Sequence, residues 1–132
     1  MAKYAYPAIF TPEEDGSFSI VFPDLDDCYT CGDNLEDGLE MARDVLALVL
    51  YGYEINKKEI PTPAKLSDLP LKEHEFANYV DCDTMVYRKM HSNKAVKKTL
   101  SIPEWLNEAA MAMELNFSQV LQEALVAKLN LK

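Results

Sequence analysis

Three groups of residues in this chain have the types and spacing to do chemistry. The first is Cys28-Tyr29-Thr30-Cys31. Two thiols three positions apart make half of a metal knuckle, and His74 or His91 could complete the set on paper. No second close pair exists, Cys82 stands alone, and the residues around Cys28 have strand character. Neither a metal site nor a thioredoxin-like redox pair is therefore expected. The second group is the run from Glu13 to Asp44, which holds 11 acids against Arg43 alone. Carboxylates in such numbers could hold a nuclease metal or could face a basic partner. Glu13, Glu14, Asp15, Asp24, Asp26 and Asp27 fall in turns, and Glu36, Asp37, Glu40 and Asp44 spread around the solvent arc of a helix. A metal-dependent nuclease instead converges acids from strands and helices on one point. The expectation is a negative docking surface, with no catalytic residue, metal ligand or cofactor assigned. The third group is Lys97, Thr99 and Ser101, whose side chains can hydrogen-bond base edges.

That third group needs a strand to align it. In Val96–Ile102 the period of two puts Lys97, Thr99 and Ser101 on one face and Val96, Lys98, Leu100 and Ile102 on the other. Pro103 has no N–H for a ladder and suits a first helical turn. A helix over 104–115 follows, with Leu106, Ala109, Ala110 and Met113 on one stripe. Asn116 is expected as the left-handed residue after it, and Ser118 as the N-cap of a second helix over 119–129. A unit this small buries too little to offset its ordering entropy, and its lone strand has two bare edges. Two copies pairing strands across a two-fold axis solve both problems. The resulting ribbon fits the DNA major groove. The order strand, Pro, helix, Asn-x-Ser, helix resembles the ribbon-helix-helix repressors. On that resemblance Lys97, Thr99 and Ser101 read bases, while Asn116, Phe117 and Ser118 hold phosphate through backbone N–H groups. The plainer alternative is a helical hairpin packed on the rest of the chain.

The front of the chain alternates as strands over 3–11, with Pro7 at an edge, and over 17–22, joined by a turn in which Gly16 takes positive φ. A short third strand covers 28–31. Asn34 and Asp37 open a long helix carrying Leu35, Leu39, Ala42, Leu46, Val49 and Leu50, regular as far as Gly52. Residues 56–75 read as Pro-rich loop, 76–87 as an interrupted fourth strand, and 88–94 as polar linker. The fold class is α+β: a sheet with one long helix on it, and a C-terminal dimerisation unit. The domains are expected at 1–87 and 96–132, with 88–95 between them.

Composition agrees with a globular chain, at 48% hydrophobic and 27% charged residues, and 132 residues suit one domain or two small ones. The net charge of −9 lies wholly in residues 1–95, which hold 9 Lys+Arg against 18 Asp+Glu. Residues 96–132 hold 4 of each, so DNA binding there is expected to be modest and salt-sensitive. No basic start precedes an apolar stretch, and the longest apolar run, 45–51, is too short to span a membrane. A cytoplasmic protein without membrane contact is the expectation.

A second resemblance covers nearly the whole chain. Phe22-Pro23-Asp24-Leu25, Cys28-Tyr29-Thr30, then Gly32-Asp33-Asn34-Leu35-Glu36-Asp37-Gly38-Leu39 and Ala42 are similar to the sheet-to-helix segment of HicB-type antitoxins. So is the loop Glu59-Ile60-Pro61-Thr62-Pro63. Pro103-Glu104-Trp105-Leu106 and the segment Asn116–Leu125 resemble that family's ribbon-helix-helix version. The resemblance implies a partial ribonuclease-H-like N-terminal domain that binds HicA, a small basic ribonuclease resembling a double-stranded-RNA-binding domain, which cleaves messenger RNA. It also implies operator binding through the C-terminal domain. The acids expected to border the toxin are Asp15, Asp24, Asp26, Asp27 and Glu36. Partners are then a HicA-type toxin, operator DNA and a second copy of the chain, with a tetramer through the front domain as an extension. Asp26-Asp27 stands where a Pro-Gly turn is common in the family, and Gly38 where Ala is common, at a helix-propensity cost of about 1 kcal/mol. Two alternatives remain open: a stand-alone repressor with a ligand-sensing front domain, and a metal-dependent nuclease.

Overall fold

The computed structural model describes residues 2–91 and 94–130. They form two compact units, one ending at Lys94 and one beginning at Ala95. The linker residues Ser92 and Asn93 and the last two residues of the chain lie outside the described residues.

In the first unit, β1 (Lys3–Pro12), β2 (Phe18–Val21), β3 (Tyr29–Gly32) and β4 (Phe76–Asp83) make one antiparallel sheet in the order β3-β2-β1-β4. α1 (Leu35–Ile55) covers one face, and α2 (Thr84–His91) continues directly from β4. The class is α+β, as the sequence implies. Alternation builds the core. Tyr6, Ala8 and Phe10 of β1, Ile20 of β2 and Val80 and Cys82 of β4 meet Ala42, Leu46 and Leu50 of α1. Phe10 stacks on its register partner Phe76 at 5.0 Å between ring centroids. No helix among the described residues is long and apolar enough to cross a membrane.

Pro7 is at an edge position, as expected, although β1 is internal in the sheet order. β2 pairs with β1 only from Ile9 to Pro12, so no strand lies beside Pro7 on that side. On the other side Pro7 faces Tyr79 in the β1–β4 register. Residues 84–91, expected partly as strand and partly as linker, are helical. Asp83 Oδ1 accepts the Met85 N–H at 2.9 Å, as an N-cap would, and Tyr87 packs on Tyr51 of α1 at 5.4 Å. Tertiary packing thus overrides the β propensity of Met85-Val86-Tyr87. α1 runs one turn beyond Gly52 to Ile55. At the 22–28 turn, Asp27 takes φ 54°, the left-handed conformation that a glycine would supply and that Asp tolerates.

Gly32 and Gly38 are the point where α1 meets the sheet. A Cβ on Gly32 would lie 2.4 Å from the Cα and N of Gly38, both backbone atoms. A Cβ on Gly38 would lie 3.2 Å from the Ile20 side chain, which can shift. The missing Cβ of Gly32 is the condition for close backbone approach here. Gly32→Ala should destabilise the chain by about 3 kcal/mol, through overpacking that backbone cannot relieve. Gly38→Ala should fall within about 1 kcal/mol of wild type, because helix propensity offsets the shift of Ile20. Urea unfolding of both variants checks this ordering.

Candidate functional site

The second unit holds the residues with nucleic-acid chemistry. Residues 94–103 form no ladder among the described residues, and every one of them is exposed. The strand expected at 96–102 is therefore absent from the single chain, as follows if its pairing partner is a second copy. Lys97, Thr99 and Ser101 are exposed, and so are Lys98 and Leu100 on the opposite parity. α3 (Glu104–Ala112) starts at Pro103, whose carbonyl accepts the N–H groups of Leu106 and Asn107. It ends earlier than expected. Glu114, not Asn116, is the left-handed residue, at φ 56°. Glu114 N–H bonds Met111 O and Leu115 N–H bonds Ala110 O, a Schellman pattern. Asn116 is used differently. It is the N-cap of α4 (Phe117–Lys128), where its Oδ1 accepts the Gln119 N–H at 3.1 Å. Ser118 is inside that helix, so the expectation of Ser118 as cap is corrected. The first two N–H groups of α4, on Phe117 and Ser118, have no acceptor among the described residues.

The acids of the first unit divide by register. Phe18 pairs with Gly32 at one end of β2, and Val21 pairs with Tyr29 at the other, about 10 Å away. Asp15, in the β1–β2 turn, and Glu36, in the first turn of α1, belong to the first end. Asp24, Asp26 and Asp27 belong to the second. The five acids singled out from the sequence thus do not form one patch. Some also have structural work. Asp15 accepts the Ser17 hydroxyl at 2.5 Å and the Ser17 N–H at 3.0 Å, which together hold its carboxyl below the usual range. Asp24 Oδ2 accepts the Ala64 N–H at 3.1 Å and ties the 60–65 loop to the sheet. Asp26, Asp27 and Glu36 are exposed.

The structure adds acids that the sequence reading left aside. A cavity of about 540 Å³ opens between α1, β4 and α2. Its charged lining is Glu40, Arg43 and Asp44 from α1, Asp81 and Asp83 from β4, and Lys3 from β1. Glu36, Glu40 and Asp44 recur every four residues, so one acidic stripe of α1 leads into the cavity. That spacing was visible in the sequence. The distant Asp81 and Asp83 had no local signal.

The three thiols are free. Cys28 is buried with its Sγ 4.0 Å from Val45 O, and Cys82 is buried in the same core. Cys31 is exposed on the other face of the sheet, opposite Ser19. Burial pushes the Cys28 thiol up to about 11 and the Cys82 thiol up to about 12.

A family profile described as HicB_like antitoxin of bacterial toxin-antitoxin system matches residues 6–125. Antitoxin HicB 1 of Photorhabdus laumondii is 36% identical over 70 residues, which are 50% of this chain and 45% of that protein. The chain spans about half the length of the curated relatives it matches. A chain of the solved Toxin-Antitoxin complex from Streptococcus pneumoniae is similar over 96% of this chain and 99% of its own, with 26% identity and a TM-score of 0.62. The Antitoxin HicB3 crystal structure is similar over 95% and 97%, with 26% identity and a TM-score of 0.51. From the cysteine geometry, a maleimide reagent near neutral pH should label Cys31 alone within minutes, and all three thiols only after denaturation. Mass spectrometry of the labelled chain checks it.

Proposed function

The chain belongs to the HicB-like antitoxins of bacterial toxin–antitoxin systems, and on that premise we propose that it occludes a basic HicA-type toxin with its first unit and represses its own operon as a dimer through its second. The observation that carries the dimer is the exposure of the second unit. None of its described residues is buried, and only Asn107, Ala110 and Leu121 are half-buried. Val96, Leu100 and Trp105 are 80%, 63% and 70% exposed. A second copy that pairs Val96–Ile102 and interlocks α3 and α4 would cover these side chains and complete a ribbon. Lys97, Thr99 and Ser101 would then form its outward row toward base edges. Asn116 would orient the start of α4, and the free N–H groups of Phe117 and Ser118 would meet phosphate.

The toxin contact is supported by charge. Asp26 and Asp27 at one end of the sheet, and Asp15 and Glu36 at the other, border the surface, with Asp24 holding the adjoining loop. They steer a messenger-RNA-cleaving ribonuclease and cover the groups it would use on RNA phosphate. Inhibition is by occlusion, with no chemistry by this chain.

Coexpression with a HicA-type toxin from the same genome should restore growth and yield a co-purifying complex. On DNA from its own promoter, Lys97→Ala should cost about 1–3 kcal/mol and Lys98→Ala less. Mobility-shift titrations at fixed salt measure both. Equal losses, or no shift by the wild type, contradict the assigned strand face.

A further inference from the structure

The cavity between α1, β4 and α2 has a use beyond general charge. Its apolar side is Val86, Tyr87 and Met90 of α2, of which Val86 is 51% and Met90 71% exposed. Two of its four carboxylates are engaged. Asp81 holds Arg43, at 3.1 Å from the carboxylate and 3.2 Å from the main-chain carbonyl. Asp83 caps α2. Glu40 and Asp44 have no hydrogen-bond or ion-pair partner among the described residues, and they sit one helical turn apart. Like charges at that spacing repel and destabilise a helix. A cation placed between them would turn that repulsion into attraction.

We propose that this groove receives one lysine or arginine side chain of the toxin, with its stem over Val86 and Met90 and its charged head between Glu40 and Asp44. The inference rests on the reading of the partner as a basic toxin. A long cationic side chain fits both halves of the site, since its methylenes want apolar cover while its head wants carboxylates. A bare divalent metal does not fit, because among the described residues no three acid, cysteine or histidine side chains are grouped so as to hold one. The acidic stripe from Glu36 to Asp44 continues the negative surface along α1, so a protein-sized basic face meets it over more than the groove.

Toxin association measured by biolayer interferometry tests the assignment with three variants, each first confirmed as folded by circular dichroism. Glu40→Gln/Asp44→Asn should weaken binding by about tenfold or more, mainly through faster dissociation. Asp26→Asn/Asp27→Asn removes the same charge at a turn that does not line the groove and should change mainly the salt-dependent on-rate. Met90→Ala changes no charge and should also speed dissociation. Equal effects from the two acid pairs, or wild-type dissociation after Glu40→Gln/Asp44→Asn, overturn the groove while leaving toxin binding intact. Wild-type dissociation from Met90→Ala overturns the placement of the stem. A wild-type chain that binds no toxin overturns the antitoxin contact itself, and the groove with it.

Discussion

Trp105, Val96 and Leu100 stand in water in the single chain, beside two helices too short to enclose them. Fully burying a side chain of this kind stabilises a fold by about 1.5–3 kcal/mol, and the second unit gains almost none of that alone. Its local signals are nevertheless in place. Pro103 starts α3, the Schellman turn at Glu114 ends it, and the Asn116 side chain starts α4. Caps and turns decide where helices begin and end, but short helices in water need tertiary packing to persist. On the proposed function, dimerisation would be a folding requirement, and the DNA-reading row would exist only when the partner strand does.

The first unit is built on the opposite principle. It has its own core, centred on Tyr6, Phe10, Ile20, Leu46 and Leu50, and its helix approaches the sheet at backbone contact through Gly32 and Gly38. Its acids are sorted by the work they do. Asn34 caps α1 by accepting the Asp37 N–H at 2.8 Å, and the Asp37 carboxylate in turn accepts the Asp33 N–H at 2.8 Å. Asp15 and Asp24 brace a turn and a loop. Asp26, Asp27, Glu36, Glu40 and Asp44 are left facing solvent. An acidic composition therefore overstates the number of charges available to a partner.

Much of this was legible in the sequence because it is local. Alternation located β1, β2 and β3, the 3.6-residue period located α1, and Asn34 with Asp37 marked its start. What failed was non-local. Nothing near Met85-Val86-Tyr87 announces Tyr51, so the segment reads as strand although it packs as helix. Gly38 reads as a weak helix residue because Gly32, six positions earlier, gives no sign of touching it. The α1 stripe of Glu36, Glu40 and Asp44 could be read, whereas its completion by Asp81 and Asp83 needed the β1–β4 pairing. In the second unit, Asn116 suits both a helix end and a helix start. The side-chain bond to Gln119 decides between them, and sequence does not display it.

The dependence of the second unit on a second copy can be measured through a built-in probe, since Trp105 is the single tryptophan of the chain. Thermal unfolding followed by its fluorescence, over about a hundredfold range of protein concentration, reports that unit alone. If folding and dimerisation are coupled, the midpoint rises steadily with concentration and the emission shifts to the blue as Trp105 leaves water. A midpoint independent of concentration, with Trp105 solvent-exposed throughout the folded baseline, would show that the unit folds as a monomer and would contradict the ribbon.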